Sequence, residues 1–259
     1  MHSKQEKMEA FGRLLDIMDD LREGCPWDRK QTFDTLRHLT IEEVYELSDA
    51  ILDKDYDRIK EEAGDVLLHL VFYGKLGEEK GKFDMADIAH HISEKLIRRH
   101  PHIYGDVKVA DAEEVKRNWE KLKMKEGKKS VLEGVPRSLP ALIKAMRMQE
   151  KAAGVGFDWE SPEPVREKVH EEWEELQKAV QSGDKEATEN EFGDLMFALI
   201  NYARHIGVNP ETALEHANRK FKRRFEHIER LAENQGKSLR DMNLEEMDRL
   251  WNDAKKDEK

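Results

Sequence analysis

The chain carries one pattern twice, and that repetition constrains the fold more than any other feature. Residues 42–65, EEVYELSDAILDKDYDRIKEEAGD, and residues 171–194, EEWEELQKAVQSGDKEATENEFGD, align without a gap at a constant offset of 129. Glu42, Glu43 and Glu46 fall on Glu171, Glu172 and Glu175, and Glu62, Gly64 and Asp65 fall on Glu191, Gly193 and Asp194. Each copy therefore reads EExxE, then fifteen residues, then ExGD. An internal repeat of this kind means that one supersecondary unit has to be built twice.

Further blocks keep the same order in both halves. LLDIM at 14–18 resembles LIKAM at 142–146, EKLIRRH at 94–100 resembles RKFKRRF at 219–225, and the Trp119 segment NWEKLK resembles the Trp251 segment LWNDAK. The halves meet in EGKKSVLEGVPRSLP, where Gly134, Pro136 and Pro140 forbid a continuous helix. This predicts domains over 1–130 and 131–259. Sustained alternation and Asn-Gly or Asp-Gly turns between β-branched runs are missing, whereas EEAGDVLLHLVFYGKL places Ala63, Val66, Leu67, Leu70 and Val71 on one helical face. The expected architecture is all-α, two helical bundles in tandem.

Helical spacing also explains the acids. Glu42 and Glu46 are one turn apart, as are Glu43 with Glu46 and Glu62 with Asp65. The segments DKD at 53–55 and SGD at 182–184 read as turns, so both acidic groups lie about 12 Å from the turn at about 1.5 Å of rise per residue. An antiparallel hairpin would bring them level, where like charges repel unless something compensates. Carboxylate oxygens in such a set suit Mg²⁺, or Mn²⁺, and through the cation a polyphosphate. The competing reading is a solvated acidic helix face. Gly64 and Gly193, inside these helices, predict close helix crossings, because a helical glycine costs about 1 kcal/mol.

Composition narrows the partners. Across 259 residues, 38% are hydrophobic and 39% charged, and the formal charge of −11 argues against a general nucleic-acid or anionic-membrane binder. The longest apolar run, VLLHLVFYG, is too short to span a bilayer. The segment MHSKQEKMEAF lacks the apolar stretch of a secretory signal, and the lone Cys25, read as a buried turn residue, excludes an internal disulfide. The expected setting is cytoplasmic.

Beyond the acidic motif, GCPWDRKQTFDTL, RRHPHIYGD, VPRSLPAL and VGFDW complete a set of blocks covering nearly the whole chain. With them the sequence resembles the MazG family of nucleoside triphosphate pyrophosphohydrolases, full-length two-domain type, within the all-α NTP pyrophosphatase superfamily. The resemblance implies hydrolysis of a nucleoside triphosphate between its α and β phosphates, dependent on Mg²⁺, in a homodimer. It also implies that the second half acts, through Glu171, Glu172, Glu175, Glu191 and Asp194 as metal-holding and catalytic residues. The first-half set Glu42, Glu43, Glu46, Glu62 and Asp65 is intact and stands as a possible second site.

A triphosphate needs cations beyond the metal. By the same resemblance Lys220 and Arg224 are assigned to phosphate, with Asn218 beside them; Lys95 and Arg99 are spaced alike in the first half. Trp251 either stacks on a base or packs, and Lys255, one turn later, is placed to reach a phosphate. His69 is set aside as a base because its counterpart is Ala198, and His90 and His91 read as surface residues. Three other functions compete: a narrower hydrolase of dUTP or phosphoribosyl-nucleotide type, a non-catalytic acidic interaction module, and a nucleic-acid binder through RRFEH and RRHPH.

Overall fold

The computed structural model describes residues 1–111, 114, 115, 118, 119, 122 and 130–257. Residues 120, 121 and 123 of the NWEKLK block and residues 126–129 of the joining segment lie outside the described residues. Two compact units, Met1–Lys108 and Val109–Lys259, make up the chain. Among the described residues there is no strand.

In the first unit the helices are α1 (Lys4–Gly24), α2 (Phe33–Asp53), α3 (Tyr56–Glu79), α4 (Met85–Arg99) and the short α5 (Pro101–Tyr104). Each long helix starts where a side chain accepts from otherwise orphaned backbone N–H groups: Ser3 and Thr32 in reciprocal capping boxes, Asp55 from two N–H groups, and Asp84 in a third box. Such caps contribute about 1 kcal/mol apiece. Met18, Leu36, Val71, Phe72 and Leu76 form the buried core, and Phe33 stacks on Tyr73 with centroids 5.8 Å apart. Outside that core, Lys75 meets Asp19 at 2.6 Å and Arg22 meets Glu79 at 2.6 Å, tying α1 to α3.

The second unit holds α6 (Ala141–Ala153), α7 (Pro162–Ser182), α8 (Lys185–His205), α9 (Pro210–Asn234) and α10 (Leu244–Asp257). Helix α6 packs on α8, and α9 pairs with α10 around Ile228, Ala232, Met242 and Leu250. The repeat is visible in the backbone: α2 and α7 share start and end at the offset of 129, and α3 and α8 begin at it. So do the turns. Lys54 and Gly183 end their helices in the left-handed region at φ 57° and 74°, and Asp55 and Asp184 cap the next helix identically. Gly183 adopts that backbone freely, whereas Lys54 does so at a cost of about 1 kcal/mol.

One expectation is corrected. A Cβ added at Gly64 or Gly193 would meet no atom within 4 Å, so neither glycine allows a close helix crossing within the chain. Both lie on an exposed helix face beside an acidic residue, not in the hairpin seam. No helix among the described residues is long and apolar enough to cross a membrane.

Candidate active site

In each unit the hairpin brings three glutamates to one point. Carboxylate oxygens of Glu43, Glu46 and Glu62 lie within 4.8 Å of one another, and those of Glu172, Glu175 and Glu191 do the same. The two triplets correspond position for position at the offset of 129. Two members come from the helix before the turn and one from the helix after it, as the equal distances from the turn require.

The electrostatics confirm the crowding. Burial, then the charges of Glu175, Asp194 and Glu172, push the Glu191 carboxyl above its ordinary value, with Lys168 opposing. Burial, then Asp65, Glu46 and Glu42, do the same to Glu43. Burial and Glu46 lead the upward shift of Glu62, partly offset by Arg58 at 4.0 Å. Asp65 and Asp194 thus act on the triplets electrostatically while standing outside the closest group. A hard divalent cation fits this donor set: three oxygen ligands from two rigid helices, each cluster short of positive charge.

Glu171 and Glu172 diverge despite adjacency. Glu172 is buried and Glu171 exposed, and the Lys168 ammonium, one turn earlier on α7, bridges them at 2.8 Å from Glu171 and 2.7 Å from Glu172. Those bonds hold Lys168 well above the usual lysine range. Glu42 is exposed like Glu171.

Beside the second cluster opens a cavity of about 380 Å³. Lys168, Glu172 and Asp194 form its acidic end, and Val165, Phe197, Ala198, Met148 and Ala152 give it apolar walls. Phe157 and Trp159 border it on the segment after α6, which Asp158 anchors: Arg204 donates to Asp158 at 2.7 and 2.5 Å, and His205 Nε2 lies 2.9 Å away. Burial raises the Asp158 carboxyl, but the bonds from Arg204 and His205 together outweigh it and leave Asp158 below its ordinary value. Leu132 lines the wall between two residues whose carbonyls accept from the buried Lys151 ammonium, Val131 at 3.2 Å and Glu133 at 3.5 Å.

The basic and aromatic residues expected around phosphate and base lie on the α9–α10 hairpin. Arg224 stands over the Trp251 ring at 5.7 Å, Phe221 lies 5.2 Å from the same ring, and Trp251 packs partly buried on the core of Ile228, Ala232, Met242 and Leu250. Lys220 and Asn218 are exposed, Asn218 donating to Glu215 at 3.4 Å, and Lys255 donates to Asn252 at 3.4 Å. In the first unit Lys95 and Arg99 are half-buried on α4. His69 is a core group, Nδ1 2.9 Å from the Thr40 hydroxyl, with burial lowering its proton affinity. His90 and His91 are exposed, and Cys25 is a half-buried cap of α1.

Sequence reasoning missed Lys168, Gln149, Asn201 and the Asp158–Arg204 clamp. The spacing of Lys168 to Glu171 and Glu172 was a usable signal, and VGFDW contains the segment that borders the cavity.

Comparison with known proteins gives a consistent result. The model of the MazG nucleotide pyrophosphohydrolase domain matches residues 31–104 and again 160–229. A nucleoside triphosphate pyrophosphohydrolase of Escherichia coli (strain K12) is 43% identical over 97% of this chain and 99% of its own length. The nucleoside triphosphate pyrophosphohydrolase/pyrophosphatase MazG of Thermotoga maritima is 45% identical over 95% of each. A Bacillus subtilis protein, YabN, is 47% identical over 99% of this chain, which corresponds to 54% of that longer protein.

Proposed function

The chain belongs to the MazG nucleotide pyrophosphohydrolase family, and from that premise we propose that it hydrolyses nucleoside triphosphates between the α and β phosphates, releasing the monophosphate and pyrophosphate, at the carboxylate cluster of its second half. The observation that carries the assignment to this half is the cavity joined to Glu172 and Asp194. At the positions equivalent to its wall residues Lys168, Ala198 and Asn201, the first half has Leu39, His69 and Phe72, of which His69 and Phe72 are buried and Leu39 packs on the core. On the repeat, rather than on compactness, we place the two domains at 1–130 and 131–259.

Glu172, Glu175 and Glu191, supported by Asp194 and with Glu171 at the rim, would hold Mg²⁺ or Mn²⁺, which when bound supplies neutralisation of phosphate oxygens. Lys168 is already positioned at the cluster and offers a cation to the same phosphates once a metal takes over its glutamates. Lys220 and Arg224, with Asn218 and Lys255, are the further basic candidates for the polyphosphate on α9 and α10. Glu42, Glu43, Glu46, Glu62 and Asp65, with Lys95 and Arg99, form a second candidate cation site.

A homodimer is supported by apolar residues left on the outer faces of α7 and α8, among them Trp173, Val180, Phe192, Met196 and Leu199, and by Val44 and Ile51 at the equivalent places on α2. Light scattering that gives the monomer mass for active protein would contradict it. A nucleotide substrate suits a cytoplasmic setting. The activity is tested by following pyrophosphate and orthophosphate separately with Mg²⁺. Glu175→Gln should lower turnover by at least about a hundredfold, the scale for losing one preorganised charge-stabilising group. Orthophosphate as the primary product, or full activity in that variant, would sink the assignment.

A further inference from the structure

Gln149, on α6, lines the cavity and is 7% exposed. Its Nε2 donates to the Phe197 carbonyl at 2.8 Å, and its Oε1 is buried with no hydrogen-bond partner. The orientation is dictated by chemistry, since the reverse rotamer would set two acceptor oxygens against each other. A buried acceptor without a donor is costly and rare in native proteins, and the side chain that carries this one borders a cavity.

Asn201, one helical turn beyond Phe197 on α8, lines the same cavity. Its Oδ1 accepts from Arg204 Nε at 3.2 Å and Nη2 at 2.8 Å, and Arg204 is itself fixed by Asp158. The occupied oxygen leaves the Asn201 amide nitrogen as the end able to serve a ligand. The lining thus includes a glutamine with an unpartnered acceptor and an asparagine whose amide nitrogen is left over, between apolar surfaces and within the same cavity as Glu172, Lys168 and Asp194.

We infer that this cavity is the nucleobase pocket and that Gln149 Oε1 is a specificity-determining acceptor, which selects bases carrying an N–H on the pairing edge. The inference rests on the pyrophosphohydrolase reading, which places the phosphates at the acidic end. Adenine and cytosine offer an exocyclic amine beside a ring nitrogen, and guanine and uracil a ring N–H beside a carbonyl. One acceptor and one donor satisfy all four, so the pocket tolerates the identity of the base but rejects an edge without an N–H.

The test compares ATP with purine-riboside triphosphate, in which hydrogen replaces the 6-amino group, and with ribose 5-triphosphate, which has no base. Full-length wild type should favour ATP over the purine-riboside analogue by about tenfold to a hundredfold in kcat/KM, the range for one buried neutral hydrogen bond. Gln149→Met, close in shape but without an acceptor, should bring ATP down to the analogue through KM and leave ribose 5-triphosphate unchanged. Equal wild-type rates on ATP and the analogue would overturn the inference without any variant, and so would losses in Gln149→Met that are the same on all three compounds. If wild type releases no pyrophosphate from any of them, the underlying activity fails instead. Quenching of Trp159 fluorescence by AMP but not by ribose 5-phosphate then still reads the pocket, and equal or absent quenching overturns it.

Discussion

Asp158→Asn tests whether the segment after α6 is clamped onto the cavity by one ion pair. In the native chain the Arg204 guanidinium, whose side chain is 19% exposed, makes two parallel bonds to Asp158, whose side chain is 24% exposed. An exposed pair contributes about 0–1 kcal/mol, whereas breaking a fully buried one costs about 3–5 kcal/mol. The intermediate burial here, with Asn201 still bonded to Arg204, places the loss at about 2 kcal/mol. For a unit of about 150 residues each kcal/mol moves the midpoint by about 2–4 °C, so Asp158→Asn should melt the second unit about 4–8 °C lower. The pH dependence has a definite sign. Because the folded Asp158 lies below its ordinary value of 3.8, its stabilisation is complete above that value and is lost as pH falls through the lower folded value. Calorimetry should show a constant gap between wild type and variant at pH 6–8 that closes only in strong acid. With Phe157 and Trp159 released, KM for nucleoside triphosphates should rise while kcat changes little, the pattern of lost uniform binding. A variant that melts within about 1 °C of wild type, with an unchanged KM, would refute the clamp.

Glu191→Gln should stabilise the metal-free protein at pH 8, because ionised Glu191 is disfavoured by burial and by Glu175, Asp194 and Glu172. That advantage should shrink as pH falls through the raised folded value, where wild type takes up its proton, and saturating Mg²⁺ should reverse it; thermal melts over pH 5–8 with and without EDTA check both. Gly193→Ala should raise the stability of the isolated chain by about 0.5–1 kcal/mol in urea, since a Cβ there meets nothing within 4 Å. Destabilisation would show instead that Gly193 is covered by another copy.

The hairpins were legible in the sequence because everything that makes them is local. A turn at Lys54–Asp55 or Gly183–Asp184, a rise fixed by helix geometry and acids equidistant from the turn suffice to predict that Glu46 meets Glu62 and Glu175 meets Glu191. The cavity was not legible, because its polar residues come from separate segments. Gln149 on α6 meets Phe197 on α8, and Asp158 between them meets Arg204, pairings that no helical period announces. Gly64 and Gly193 misled for a related reason: a helical glycine marks a place where a side chain is unwanted, but not what approaches it.

Why the first half keeps its carboxylates, although buried Phe72 and His69 stand at the positions equivalent to the cavity residues Asn201 and Ala198, is a question of charge. Glu43 and Glu62 both sit above their ordinary values, with Arg58 in opposition at Glu62, so the crowding is a standing cost. In the second half Lys168 relieves Glu172 directly, whereas Leu39 holds the equivalent position in the first. The cluster with less built-in neutralisation gains more from a cation. Isothermal titration of the full chain with Mn²⁺ should therefore find two classes of site, with Glu46→Gln removing one and leaving pyrophosphate release intact, and Glu175→Gln removing the other together with the activity. A single class of site, untouched by Glu46→Gln, would mean that the first cluster tolerates its repulsion without an ion.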